Sequence, residues 1–188
     1  MRMTNICLTV ALFGAVAGAA NANLLQNGSF EEAGNEPETA RHWKMNDPSE
    51  HGDAWGSAIR VDWRANEGTH IGAIRGKWAG VDEYGGFWQE ARVEAGKTYR
   101  ASAWFWADNG WGAGVQELKI EFWGEDRTEK LGERIVSLCD VGESWTLKEV
   151  TLDAPVNAAW GRVVINVSEV GEEGALQIDQ VALDATIY

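Results

Sequence analysis

Eleven tryptophans in 188 residues call for an explanation beyond core filling. Several recur at two-residue spacing among charged and amide side chains. From Tyr99 to Trp106, one parity holds Tyr99, Ala101, Ala103 and Phe105, and the other holds Arg100, Ser102, Trp104 and Trp106. From Leu118 to Trp123, Leu118, Ile120 and Phe122 oppose Lys119, Glu121 and Trp123. From Arg162 to Ser168, Val163, Ile165 and Val167 oppose Arg162, Val164, Asn166 and Ser168. Successive strand residues point to opposite faces, so the purely apolar parity is the core side. The other parity repeats one mixture, Trp with Arg, Lys, Glu, Asn and Ser. An indole offers a flat surface to the C–H face of a pyranose ring, and guanidinium, amide and carboxylate groups hydrogen-bond its hydroxyls. Trp104, Trp106 and Trp123 are therefore candidate stacking residues. Arg100, Glu121 and Asn166 are candidate hydroxyl contacts. Two or three such platforms correspond to a dissociation constant of roughly micromolar to millimolar. Trp43, Trp63, Trp145 and Trp160 read instead as packing residues. Trp55, Trp78, Trp88 and Trp111 lie in or beside Gly-rich segments and read as a rim.

The elements that must position these residues read as strands. Alternating runs cover Ala58–Arg64, His70–Arg75, Gly86–Val93, Thr98–Ala107, Glu117–Trp123, Trp145–Leu152, Arg162–Ser168 and Ala175–Ala185. Gly, Asn and Asp separate them. Period-2 alternation with turn residues between predicts an all-β antiparallel sandwich or barrel. The polar stretch 32–56 reads as long loops. The length suits one domain.

Residues 1–22 are excluded from the fold. Arg2, the apolar run Ile6–Val16 and Ala20-Asn21-Ala22 form a signal-peptide pattern, with an apolar run too short to span a bilayer. This predicts a secreted or periplasmic domain over 23–188. Cys7 leaves with that segment, so Cys139 has no intrachain partner. The formal net charge is −13, which disfavours nucleic acid, anionic membranes and polyanionic substrates. No zinc, P-loop or nucleophile-elbow motif is present. Among 29 acidic residues, chance pairs at glycosidase spacing are certain, so carboxylates alone do not argue for catalysis. A small polysaccharide-degrading jelly roll and an exported structural or protein-binding sandwich are the alternatives, since exposed Trp also suits protein interfaces.

The start Asn23-Leu24-Leu25-Gln26-Asn27-Gly28-Ser29-Phe30-Glu31 resembles the N-terminal motif of carbohydrate-binding modules of families 4, 9 and 22. Further blocks are similar in the same order: Gly86-Phe87-Trp88-Gln89 with Ala91 and Val93, Gly96 to Trp104, Trp145 to Pro155, and Gln177 to Leu183. The resemblance spans nearly all of 23–188. It implies a galactose-binding-like jelly roll and a non-catalytic role, binding a polysaccharide or oligosaccharide on a Trp-lined concave sheet face. It also implies a structural calcium ion held by Ser29 through its carbonyl and by the carboxylates of Glu31 and Asp179. Hard oxygen ligands from distant segments suit Ca²⁺ and would tie both chain ends together. Such modules are usually joined to a glycoside hydrolase, so a separate hydrolase is an expected partner. A monomer is expected.

Overall fold

The computed structural model describes residues 23–45, 57–80 and 83–186. The signal-peptide reading and Trp55 fall outside these residues. Among the described residues, ten strands form two five-stranded antiparallel sheets. They are β1 (Lys44–Met45), β2 (Ala58–Val61), β3 (Ile71–Arg75), β4 (Tyr84–Arg92), β5 (Thr98–Ala107), β6 (Ala113–Trp123), β7 (Lys130–Ser137), β8 (Thr146–Asp153), β9 (Trp160–Val170) and β10 (Ala175–Ala185). The first sheet runs β1-β4-β9-β6-β7 and the second β2-β3-β10-β5-β8. The architecture is the all-β jelly-roll sandwich expected. Helix is confined to a 3₁₀ turn at Lys77–Ala79 among the described residues. No helix there is long and apolar enough to cross a membrane.

β5 and β10 have the bounds that alternation predicts, while β2 stops at Val61, three residues early. The reading missed β7. That strand lies at a sheet edge, and Glu133, Arg134 and Ile135 are all exposed in succession, so no burial alternation marks it.

The core lies between the sheets. Phe30, Phe87, Phe105 and Phe122 are fully buried there with Ile120, Ile165 and Ile178. Phe30 stacks on Trp43 at 5.2 Å and meets Phe87 edge-on at 5.2 Å. Truncating a buried Phe costs about 3–5 kcal/mol. The N-terminal motif is tied to β10. Asn23 Nδ2 donates to the Val181 carbonyl at 2.9 Å, and Asn23 Oδ1 accepts from Leu183 N–H at 3.0 Å. A Cβ at Gly28 would sit 2.1 Å from the Val181 carbonyl oxygen, so only glycine allows this approach. Gln26 and Gln89 exchange two hydrogen bonds, at 2.7 and 2.9 Å. Arg60 points inward and donates to the carbonyls of Phe30, Glu31 and Pro37. These contacts explain the motif. It joins the chain's first segment to its last strand without a disulfide, and Cys139 is an exposed free thiol.

Candidate functional site

The candidate residues do not share one face. Trp104, Trp106 and Arg100 project from β5 on the outer side of the second sheet. Trp123 and Glu121 on β6, with Asn166 on β9, project from the outer side of the first. The core lies between the two groups. Parity separates inside from outside on each strand but does not say which sheet a strand joins.

On the first sheet the rings are occupied by cations. The Arg162 guanidinium lies 4.2 Å from the Trp88 ring centre and 4.6 Å from that of Trp123. It donates to Glu90 at 3.0 Å and stands 4.0 Å from Glu121. Glu121 is buried and accepts from Trp123 Nε1 at 3.0 Å, with the Lys130 ammonium 3.8 Å from its other oxygen. Trp160 has Arg92 at 4.1 Å and Arg127 at 3.5 Å over its ring, and Arg92 forms a two-pronged bond with Glu125. Cation–π and charge-assisted bonds therefore lock this end of the face. Asn166 lies two residues along β9 from Val164, and its amide has no hydrogen-bond partner among the described residues.

On the second sheet the pattern differs. Trp104 is half-buried, and among the described residues it takes neither a cation nor another ring and its Nε1 has no partner. Its cross-strand neighbours are Leu147 on β8, which is exposed, and Asp179 on β10. Trp106, two residues on, meets Trp145 edge-on at 6.2 Å and has the Arg64 guanidinium 4.1 Å above its ring. Trp63, expected to pack, is 44% exposed beside Arg64. Arg100 is paired with Glu149 at 3.1 Å and Asp184 at 3.4 Å. Sequence reading missed Arg64 and Gln177 here. Arg64 closes the run Ala58–Arg64 that reads as a strand but lies in the loop after β2, and Gln177 opens the closing motif block without any role being read for it.

Glu31 and Asp179 meet the same loop, residues 62–70. Glu31 Oε1 accepts from the N–H groups of Thr69 and His70 at 2.8 and 3.0 Å, and Oε2 from the Thr69 hydroxyl at 2.9 Å. Asp179 Oδ2 accepts from the N–H groups of Asn66 and Glu67, both at 2.9 Å, and Oδ1 from Gln180 N–H at 2.7 Å. Burial pushes the Glu31 carboxyl up, and its N–H and hydroxyl donors bring it below the ordinary carboxylate range. Burial pushes the Asp179 carboxyl above its ordinary value, assisted by the Glu31 charge and only partly offset by its three N–H donors. The oxygens are of the hard type calcium takes. Each already accepts a hydrogen bond, however, and no group of three or more His, Cys, Asp or Glu is placed to hold an ion among the described residues. An ion here would require the loop donors to turn away. Ser29 is half-buried and makes no side-chain hydrogen bond.

No family model matches the sequence, and no curated protein does. Solved structures do. A family 16 carbohydrate-binding module (module 2) matches with TM-score 0.62 at 18% identity, over 86% of this chain and 99% of that one. The CBM22-1 xylan-binding domain of a Paenibacillus barcinonensis protein matches with TM-score 0.57 at 13% identity, over 90% and 97%. This chain has the carbohydrate-binding-module fold. The module fold also matches the enzymatically active domain of bacteriophage CBA120 tailspike protein 4, with TM-score 0.64 at 15% identity. That match covers 87% of this chain and 21% of the tailspike chain, so this chain spans about a fifth of it. A module fold can host different functions, so function is argued from the faces themselves.

Proposed function

We propose that the protein is an exported carbohydrate-binding module that takes a neutral polysaccharide on the outer face of its second sheet. The observation that carries this reading is Trp104, whose ring is free of cations and other rings and whose Nε1 is unpaired among the described residues. Trp106 lies about 6.5 Å further along the same face, by strand geometry. Trp104 offers the stacking platform, and Trp106, whose ring carries Arg64, offers its edge to the next part of a sugar chain. The net charge of −13 favours a neutral ligand over a polyanionic one. The expected result is saturable quenching of Trp fluorescence by a soluble glycan, weakened in Trp104→Ala and unchanged in Trp123→Ala. Equal binding by wild type and Trp104→Ala would overturn the choice of face.

Calcium forms a second part of the proposal. An ion held by Glu31, Asp179 and the Ser29 carbonyl would stabilise the joint between the first segment and β10 by binding only the folded state. The check is the thermal midpoint in 2 mM CaCl₂ (about that order) against EDTA. Identical midpoints leave the loop's N–H donors as the anchor.

Exposed Trp63, in the loop after β2, and exposed Leu147 on β8 favour one alternative, a protein-binding surface. Competition separates the two readings, because soluble glycans displace a sugar-type ligand and leave a protein partner bound.

A further inference from the structure

Two buried polar atoms on the outer side of the second sheet lack partners, and they are complementary. Trp106 Nε1 is a donor with nothing to donate to, and Gln177 Oε1 is an acceptor with nothing to accept. The two residues sit opposite each other on β5 and β10. Gln177 is 3% exposed, and its Nε2 is fixed by a 2.7 Å bond to Asp108 Oδ1, which orients the amide. Arg64 covers the Trp106 ring at 4.1 Å. Arg64 belongs to the loop whose later residues bond Asp179 and Glu31, but its own side chain is exposed and makes no hydrogen bond or ion pair among the described residues, so it is free to swing off the ring. Buried polar groups in folded proteins are nearly always paired, so a donor and an acceptor left unpaired on two register-paired residues point to something that completes them.

The chemistry of the pair narrows the occupant. A carboxylate or phosphate only accepts and would face the Gln177 carbonyl oxygen, with Asp108 close by. An ammonium only donates and would face the indole N–H. A hydroxyl both donates and accepts at one atom. We infer that Trp106 Nε1 and Gln177 Oε1 form a hydroxyl-recognition subsite that opens when the Arg64 side chain swings off the indole and then takes the hydroxyls of a neutral sugar ring while the neighbouring unit stacks on Trp104. This rests on the sugar-binding reading above and deepens it by assigning the polar contacts of that face. It also replaces Arg100 as the principal hydroxyl contact, because Arg100 is already paired with two carboxylates.

The test uses the full domain with cellohexaose, xylohexaose and β-1,4-galactotetraose as probes. Indole ¹H–¹⁵N resonances are recorded, and Trp106→Phe assigns the Trp106 peak by its disappearance. With the probe that quenches fluorescence, the Trp106 indole proton is expected to move downfield as it gains an acceptor. Both Trp106→Phe and Gln177→Met are expected to bind about tenfold more weakly. Gln177→Met also removes the Nε2 bond to Asp108 and is expected to lower the unfolding midpoint by a few degrees; Asp108→Ala, which removes that bond alone, is expected to lower it equally while keeping most of the affinity, and this separates a ligand contact from a structural one. Quenching through Trp104 with a stationary Trp106 indole and unchanged Gln177→Met binding would overturn the subsite and leave the face intact. A Trp106 proton already shifted downfield before sugar and unmoved by it would identify a permanent water and also overturn the subsite. Absence of any quenching or indole shift with all three probes would remove the sugar reading itself.

Discussion

The outer faces of the two sheets carry similar residues in different arrangements. On the first sheet, Arg162 lies between Trp88 and Trp123, and Arg92 and Arg127 lie over Trp160, with Glu90, Glu121 and Glu125 completing the charges. On the second sheet, Trp104 has no such partner among the described residues and Trp106 carries one cation, while each face keeps one buried unpaired donor, Arg162 Nε on the first and Trp106 Nε1 on the second. Composition alone makes both faces look like binding surfaces. The difference lies in whether the ring faces are already in use. A stacked guanidinium with its own carboxylates holds the first sheet's strands together, and it leaves those rings without a bare surface for a sugar.

The largest expected effect breaks the locked face. Arg162→Met leaves Glu90 and Glu121 without their shared cation, and the Arg162 side chain is only 18% exposed. The pair is part-buried, and Glu90 keeps Arg127 while Glu121 keeps Lys130, so a loss of about 2–3 kcal/mol is expected in urea unfolding. Glycan affinity should stay at the wild-type value. A large loss of affinity with little change in stability would place the binding face on the first sheet instead.

The next effect concerns Trp104. Trp104→Ala should weaken binding about tenfold, equal to about 1.4 kcal/mol, with a small change in stability. Trp123→Ala should show the reverse, because its indole shields Arg162 and donates to Glu121. Paired titration and unfolding of the two variants measures this crossed pattern. Parallel losses in both variants would erase the distinction between the faces.

The fold was legible from the sequence because burial on one side of a strand leaves a period of two. β5, β6, β9 and β10 show it clearly, and the N-terminal motif pointed to the joint with β10. Strand partnership is set by long-range register, which no local pattern records. That is why Trp104 and Trp123, alike in sequence context, emerged on opposite sides of the molecule. β7 escaped notice for a related reason, since an edge strand buries too little to force alternation. The pair Trp106 and Gln177 is 71 residues apart in sequence and becomes adjacent only through β5–β10 pairing.

The smallest expected effect is in acid. A hydrogen bond to Arg92 holds the Glu125 carboxyl below its ordinary value, and one to Lys130 does the same for Glu133. A carboxyl held lower in the folded state contributes stability above its unfolded value of 4.5, and the contribution is lost as pH falls through the folded value. Both groups are exposed, so the contribution is slight and further reduced by salt. Both belong to the first sheet and its adjoining loop. Stability should therefore soften modestly below pH 4.5 in wild type, and this softening should be smaller in Arg92→Met, where Glu125 has lost its principal cation. Binding of a neutral glycan should be flat from about pH 5 to 8, because the free Trp104 ring and the Trp106–Gln177 pair carry no titrating group. A binding curve that follows the stability curve down in acid would mean that the ligand touches the charged face.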